Sequence, residues 1–283
     1  MHLYSPAKLN LNLEVKTEVR DGLHTLESLF IPIDLCDEIE INESENNVDE
    51  ITFTPEIELT GKSTIEKSLD LLREENNFSK HFLINVTKNI PTESGLGGGS
   101  SNAGTILNYL SSEYNLNLPS NDLIAKYIGS DVPFFILGKP AIVGGLGEIV
   151  EENNDIGDLD ILLAVPHESI STSLAYKKFD ELGQKNDYEK IKINNLELFN
   201  NMWNPAVGIE PTIAEHKKHL EEVLENKFFM SGTGSTLFCL GEKNDLVNRL
   251  EGIDKTRFRL LTITKKIDSS FCLLYTSPSP RDS

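Results

Sequence analysis

Positive charge is scarce in this chain of 283 residues: 26 lysines and arginines stand against 45 aspartates and glutamates, a formal balance of −19. A field of that sign repels nucleic acid and anionic lipid surfaces, so neither is expected as a partner. Any phosphate ligand must then be held locally, by backbone N–H groups and single lysines. Cysteine is equally sparse. Cys36, Cys239 and Cys272 are isolated and show neither disulfide nor metal spacing, which fits a reducing compartment. No apolar run approaches the ~20 residues that span a bilayer. Met1–Pro6 also lacks the basic start and apolar stretch of a secretory signal. These absences point to a cytoplasmic protein that meets small molecules; no interface announces itself in the sequence, and a monomer and a homodimer both fit.

What is present suffices for a packed core, since 39% of the residues are hydrophobic and the length suits about two domains. Leu9, Leu11, Leu13 and Val15 alternate with polar residues, the period of a half-buried strand. Lys8 and Asn10 fall on the opposite phase, where they can project into a site while the leucines anchor the strand. Further strands read at 38–41, 51–53, 82–86, 161–165, 237–240 and 257–263. Ser63-x-x-Glu66 predicts a capping box for a helix carrying Ile65, Leu69 and Leu72, and Thr212-x-x-Glu215 predicts another after Pro211. Strands and helices do not alternate strictly, which argues for two α+β domains. The acidic stretch 151–158 places their boundary, giving domains at 1–155 and 156–271. Residues 272–283 break the style of the rest. Cys272-Leu-Leu-Tyr-Thr-Ser-Pro-Ser-Pro-Arg-Asp282 matches an in-frame translation of a transposon-type sequencing adapter and is set apart from the fold.

The sharpest signal is Pro91-Thr-Glu-Ser-Gly-Leu-Gly-Gly-Gly-Ser-Ser101, with four glycines in five residues. Glycine lets a backbone turn its N–H groups inward without a clashing Cβ. Ala103, Ile106, Leu107 and Leu110 follow at helical spacing, so the loop opens onto a helix N-terminus, a natural anion site. Ser100 or Ser101 can donate to a phosphate or bind magnesium. The loop is not a Walker motif, because no lysine follows its glycines. It is not the dinucleotide fingerprint either, because Ser100 stands where the last glycine is needed.

The spacing Pro91, Gly95, Leu96, Ser100, Ser101 resembles the phosphate loop of the GHMP kinase superfamily. Ser5-Pro-Ala-Lys-Leu-Asn-Leu-Asn12 looks like that superfamily's first motif, and Met230-Ser-Gly-Thr-Gly-Ser235 like its third. Arg20-Asp-Gly-Leu-His-Thr-Leu26, Gly97-Gly-Gly-Ser-Ser-Asn-Ala103 and Ser130-Asp-Val-Pro-Phe134 narrow the likeness to the branch acting on a cytidine-diphosphate-linked methylerythritol. The resemblance spans nearly all of residues 3–265. It implies a ribosomal S5 domain 2-like N-terminal domain and a ferredoxin-like C-terminal domain. It also implies phosphoryl transfer from ATP, with Mg2+, to the 2-hydroxyl of that substrate, in the non-mevalonate route to isoprenoid precursors. On this likeness Asp131 is the catalytic base and Lys8 its neighbour. Pro91, Gly95, Leu96, Gly97, Gly98, Gly99, Ser100 and Ser101 hold ATP, and Asn10, Leu23, His24, Thr172 and Tyr176 meet the cytidine substrate. No side-chain metal site is implied.

Two departures stand out. Leu23 replaces the family's usual aromatic residue, which turns one half of a stacking sandwich into an aliphatic contact. Glu93 places a carboxylate in the phosphate loop, where relatives often carry small or apolar residues. Among other candidates, His216 and His219 have a spacing that can bind metal, but an exposed helix face with Lys217 and Lys218 between them is the favoured reading. Gly144-Gly-Leu-Gly147 reads as a turn and Trp203 as core. The alternatives are a mevalonate- or homoserine-type GHMP kinase, or a non-catalytic nucleotide-binding relative.

Overall fold

The leucine alternation builds two strands rather than one, β1 (His2–Asn10) and β2 (Asn12–Arg20), parted at Leu11. Leu9, Leu11, Leu13 and Val15 are all buried, so the expected anchoring face is in place. Both strands lie antiparallel to β3 (Leu23–Glu43), entered through the turn Asp21-Gly22, whose two residues both have positive φ. That is the turn geometry whose twist matches a hairpin. The structure, a computed structural model, describes residues 1–183 and 187–270. The stretch 272–283, read as adapter sequence, lies outside the described residues.

A strand of 21 residues twists too far to keep one neighbour. β3 therefore changes partners along its length. Its first part pairs with β2 and β6 (Ala141–Gly145), and its later part with β1 and β5 (Phe82–Thr87). β4 (Glu50–Thr54) adds parallel to β5, and the crossover this demands is α1 (Thr64–Glu75). The predicted capping box starts α1: Glu66 N donates to Ser63 Oγ at 3.1 Å, and Ser63 N to Glu66 Oε2 at 2.6 Å. α2 (Gly98–Tyr114) buries Ala103, Ile106, Leu107 and Leu110 against α1 and the sheet residues Ile39, Ile41 and Ile84. α3 (Asn121–Tyr127), α4 (Val132–Leu137) and β7 (Ile149–Glu152) complete this half. The Gly144–Gly147 cluster covers the end of β6 and the start of the turn into β7, so the turn read there lies at its Leu146-Gly147 end.

The chain then enters a four-stranded antiparallel sheet in the order β11-β12-β8-β13, formed by Phe229–Met230, Leu237–Leu240, Asp160–Pro166 and Phe258–Lys265. α5 (Thr172–Leu182), α6 (Trp203–Ile209), α7 (Thr212–Leu224) and α8 (Lys243–Arg249) surround its core. The boundary expected at 155/156 falls between β7 and β8. Contacts cross it extensively, however. The hairpin β9 (Ile191–Ile193) and β10 (Leu196–Asn200) returns to the first sheet, with β10 parallel to β2. Leu13 and Val15 share a core with Leu162 and Phe258, and Leu9 and Leu11 share one with Ile161 and Leu163. The whole is the mixed arrangement of strands and helices, without strict alternation, that the sequence led us to expect. Among the described residues no helix is long and apolar enough to cross a membrane.

One local expectation fails. The box at Thr212 and Glu215 does not form, because Pro211 occupies the cap position of α7 and pushes Thr212 into the first turn. Glu210 takes over: its Oε1 accepts from Thr212 N at 3.2 Å and from Thr212 Oγ1 at 2.5 Å.

Candidate active site

The glycine loop runs from β5 into α2 and needs glycine at two points. Gly95 has φ +79°, and a Cβ there would lie 2.4 Å from the Ser231 carbonyl oxygen. Gly97, at φ +72°, caps α2, and a Cβ would press on Lys8 Cγ and the Phe135 ring at 3.1 Å. The N–H groups of Gly98, Gly99 and Ser100 occupy the first turn, where no helical carbonyl is available to them. They border a cavity of about 480 Å³, walled also by Phe53, Ile57, Leu59, Lys62 and Lys88. Pro91 and Gly95 line the same space. Leu96 and Ser101 do not. Leu96 is fully buried in the core, and the Ser101 hydroxyl donates to Pro6 O at 2.5 Å and accepts from Ser5 Oγ at 2.7 Å. Of the two serines, only Ser100 faces the cavity.

A second cavity, about 730 Å³, shares Glu93, Gly95 and Gly97 with the first. Lys8, Asn10, Asp131, Thr172 and Tyr176 all line it. Lys8 Nζ lies 3.5 Å from Asp131 Oδ2, donates to Asn10 Oδ1 at 2.5 Å, and sits 4.7 Å from the Phe30 ring centre. Lys8 N also donates to Leu96 O at 2.9 Å, which fixes β1 to the loop. Asp131 precedes α4 without capping it, so its carboxylate is free for the cavity. Burial pushes the Lys8 ammonium below the usual lysine range, against the opposing pull of Asp131. Between the lowered folded value and the ordinary one, the unfolded chain binds more protons, so this lysine makes stability rise with pH in that window. Unfolding midpoints in urea should therefore shift in favour of the wild type over Lys8→Met as pH rises through that window. A pH-independent difference would contradict the assigned burial of the charge.

The residues expected around a cytidine divide into two groups. Thr172 Oγ1 meets Thr233 Oγ1 at 3.1 Å across the second cavity. Burial, and then the charge of Asp131, pushes the Tyr176 hydroxyl up to about 12. His24 stands outside the cavity lining but stacks on Tyr176, with ring centres 6.0 Å apart. Its Nδ1 lies 2.8 Å from Lys16 O and its Nε2 2.8 Å from Asp180 Oδ1, so both nitrogens are engaged and the ring offers a face, not an edge. Leu23, next to the hairpin turn, is 61% exposed and does not line the cavity.

Glu93 now has a physical setting. It sits at φ +50° where the cavities join, beside Arg259 of β13, whose Nη2 donates to Thr92 O at 2.8 Å. Burial pushes the Arg259 guanidinium down and the Glu93 charge opposes this, so the two charges offset one another. The histidine pair does not converge. His216 Nε2 pairs with Glu168 Oε2 at 3.0 Å, while His219 accepts from Asp254 N at 3.2 Å. Among the described residues no group of three metal-binding side chains occurs. Trp203 packs on the second core, as its reading as core requires.

Sequence reading missed the support beneath the loop. Asp37, fully buried on β3, accepts from the Lys88 ammonium, from Asn102 Nδ2 at 3.0 Å, and from Asn89 N and Ile90 N at 2.8 Å each. Asn102 Nδ2 donates to Ser5 Oγ as well, and Thr64 Oγ1 to Gly99 O at 2.6 Å. A signal was available: Asp37 falls on the same alternating phase as Ile31, Ile33, Ile39 and Ile41, all buried. A carboxylate on a buried phase calls for a partner.

The sequence profile of the GHMP kinases N terminal domain matches residues 63–139. A 4-diphosphocytidyl-2-C-methyl-D-erythritol kinase of Fusobacterium nucleatum is 35% identical, over 88% of this chain and 92% of its own. One of Pseudothermotoga lettingae is 33% identical, over 83% and 89%. Among solved structures, a 4-(cytidine 5'-diphospho)-2C-methyl-D-erythritol kinase superposes with a TM-score of 0.77 at 24% identity, covering 94% of this chain and 99% of that one.

Proposed function

The chain belongs to the 4-diphosphocytidyl-2-C-methyl-D-erythritol kinases of the GHMP kinase superfamily, and from that premise we propose how its residues carry the reaction. The enzyme transfers the terminal phosphoryl group of ATP to the 2-hydroxyl of 4-diphosphocytidyl-2-C-methyl-D-erythritol, giving the 2-phosphate and ADP. The step belongs to the non-mevalonate route to isoprenoid precursors. We take it to run in the cytoplasm.

The single observation that carries the residue assignment is the meeting of two cavities at Gly95 and Gly97, with Lys8 and Asp131 beside the junction. In our reading ATP lies in the cavity under α2, its phosphates against the N–H groups of Gly98, Gly99 and Ser100. The cytidylated substrate lies in the other, its 2-hydroxyl directed at Asp131. Asp131 takes the hydroxyl proton as the oxygen bonds to the terminal phosphorus, and the bond to the bridging oxygen of ADP breaks. Lys8, 3.5 Å from that carboxylate, offsets the negative charge that builds during transfer. Such a transfer asks mainly for positioning and electrostatics, so few residues suffice.

Magnesium suits the oxygen donors here, since it is commonly held by one or two carboxylates together with substrate phosphates. Glu93 and Ser100, both on the phosphate cavity, are the side chains that would hold it, and it would neutralise phosphate charge.

Leu23 bears on affinity. Leu23 precedes His24 of the stacked His24–Tyr176 pair in the chain, and an exposed aliphatic side chain at this position gives a base less surface than an aromatic ring. A stacking residue is worth roughly 1–3 kcal/mol per base, so Leu23→Tyr should lower the KM for the cytidylated substrate several-fold and leave kcat alone. An unchanged KM would show that this position does not meet the base.

The decisive assay measures ADP release with the cytidylated substrate, mevalonate and homoserine side by side. Turnover with the first alone is expected. Bound ATP without turnover of any of the three would reduce the chain to a nucleotide-binding relative.

A further inference from the structure

We propose that Asn200 is a positioning residue for phosphoryl transfer, acting through the loop 230–235 on Asn10, Lys8 and the glycine loop; this rests on the active-site reading above. Asn200 lines neither site cavity, yet it is buried and spends its amide on that loop. Its Nδ2 donates to Met230 O at 2.7 Å and to Gly232 O at 2.8 Å, while its Oδ1 accepts from Met202 N at 2.8 Å. Both amide hydrogens thus clamp the two residues that flank Ser231.

Ser231 is the next link. Its hydroxyl reaches Gly95 O at 3.1 Å and Asn10 Oδ1 at 3.2 Å, and Asn10 N points back to it at 3.2 Å. Asn10 Oδ1 is the acceptor of Lys8 Nζ, and Lys8 faces Asp131. The backbone on either side of Ser231 also serves the site directly, since Gly232, Thr233 and Gly234 line the second cavity. A shift of this loop would move the wall of the acceptor cavity and the anchor of Lys8 together.

Asn200 can act as a fixed point because its own frame is tied down. β10 pairs in parallel with β2, setting Phe199 against Asn12 and Asn200 against Leu13. The neighbouring Asn201 extends that pairing with its side chain: Oδ1 accepts from Val15 N at 2.9 Å and Nδ2 donates to Val15 O at 2.8 Å. Asn201 thereby reads β2 while Asn200 reads the loop. The pair couples the strand that follows Lys8 and Asn10 to a loop more than 200 residues away in sequence.

The test exploits the geometry of the amide. Asn200→Asp keeps size and shape, but an ionised carboxylate would face two carbonyl oxygens with nothing to donate. We expect a fall in kcat of roughly 10- to 100-fold, the scale of loss from displacing reacting groups by about 1 Å. The ratio of variant to wild-type kcat should recover as pH falls, because a protonated carboxyl can restore one donor bond. A side chain that only fills space would give near wild-type rates in this isosteric variant at every pH, and that result overturns the proposal.

Should Asn200→Asp fail to fold, Asn200→Ala removes the donors without adding charge and carries the test in a cycle with Ser231→Ala. Coupling through Ser231 predicts that the double variant loses far less than the product of the two single losses; a simple product overturns the link. An inactive wild type would instead refute the active-site reading itself, so the two failures are told apart.

Discussion

Replacing Asp131 with asparagine should lower kcat by about 10²–10⁴-fold, the usual contribution of a positioned general base. The change keeps the side-chain shape, and no hydrogen bond to the α4 backbone is lost, because Asp131 does not cap that helix. Thermal stability should fall modestly, because the buried Lys8 ammonium loses the charge it faces, while the KM for ATP should change little, since the phosphate cavity does not include this residue. The Lys8 ammonium gives a second readout. Burial already depresses it, and Asp131 is the group that opposes the depression. Without that partner the lysine should titrate lower still, so any residual activity should decline at a lower pH than in the wild type. A variant that keeps more than about a tenth of the wild-type kcat would remove Asp131 from the role of base.

The other large effect is expected on stability. Asp37→Ala should destabilise the fold by about 3–5 kcal/mol, the cost of removing one partner from a buried ion pair. The loss extends beyond the Lys88 ammonium. Asn102 Nδ2 loses an acceptor, and Asn89 N and Ile90 N, just ahead of the glycine loop, lose theirs. The denaturant midpoint should fall accordingly, and the KM for ATP should rise because the loop's base loosens. Adding Lys88→Met to Asp37→Ala should return part of the stability, since it removes the stranded charge. A midpoint within about 1 kcal/mol of wild type would mean that water reaches the cluster and screens it.

How legible was all this in the sequence? The phosphate loop was readable because its information is local. Glycines that permit positive φ, followed at once by Ala103, Ile106, Leu107 and Leu110 at helical spacing, announce a turn onto a helix start. The capping box at Ser63 belongs to the same class: both partners lie within one helical turn. At Thr212 the same pattern misled, because Pro211 holds the cap position and Glu210 answers the free N–H. A pattern of residue types cannot report where a helix begins when two starts lie one residue apart.

Distant contacts followed a different rule. Lys8 and Asp131 could be named from motif likeness, but their 3.5 Å approach depends on β1 packing beside the loop. Ser101 matched a phosphate-loop motif, yet its hydroxyl turns inward to Pro6, leaving Ser100 on the cavity. Glu93 stayed without an explanation until Arg259, 166 positions along the chain, proved to be beside it. Asn200 and Asn201 carried no signal at all, since two asparagines at a strand end look like a loop.

By itself, then, the sequence determined the elements and the chemistry of the phosphate loop, because propensity, periodicity and glycine geometry act over a few residues. It also determined the family, through motifs spread along the chain. Tertiary structure alone decided which polar groups became supports. Register and strand order choose the partners of Asp37, Ser101, Glu93 and Asn200, and a buried polar group takes its role from whatever those choices bring within 3 Å or so.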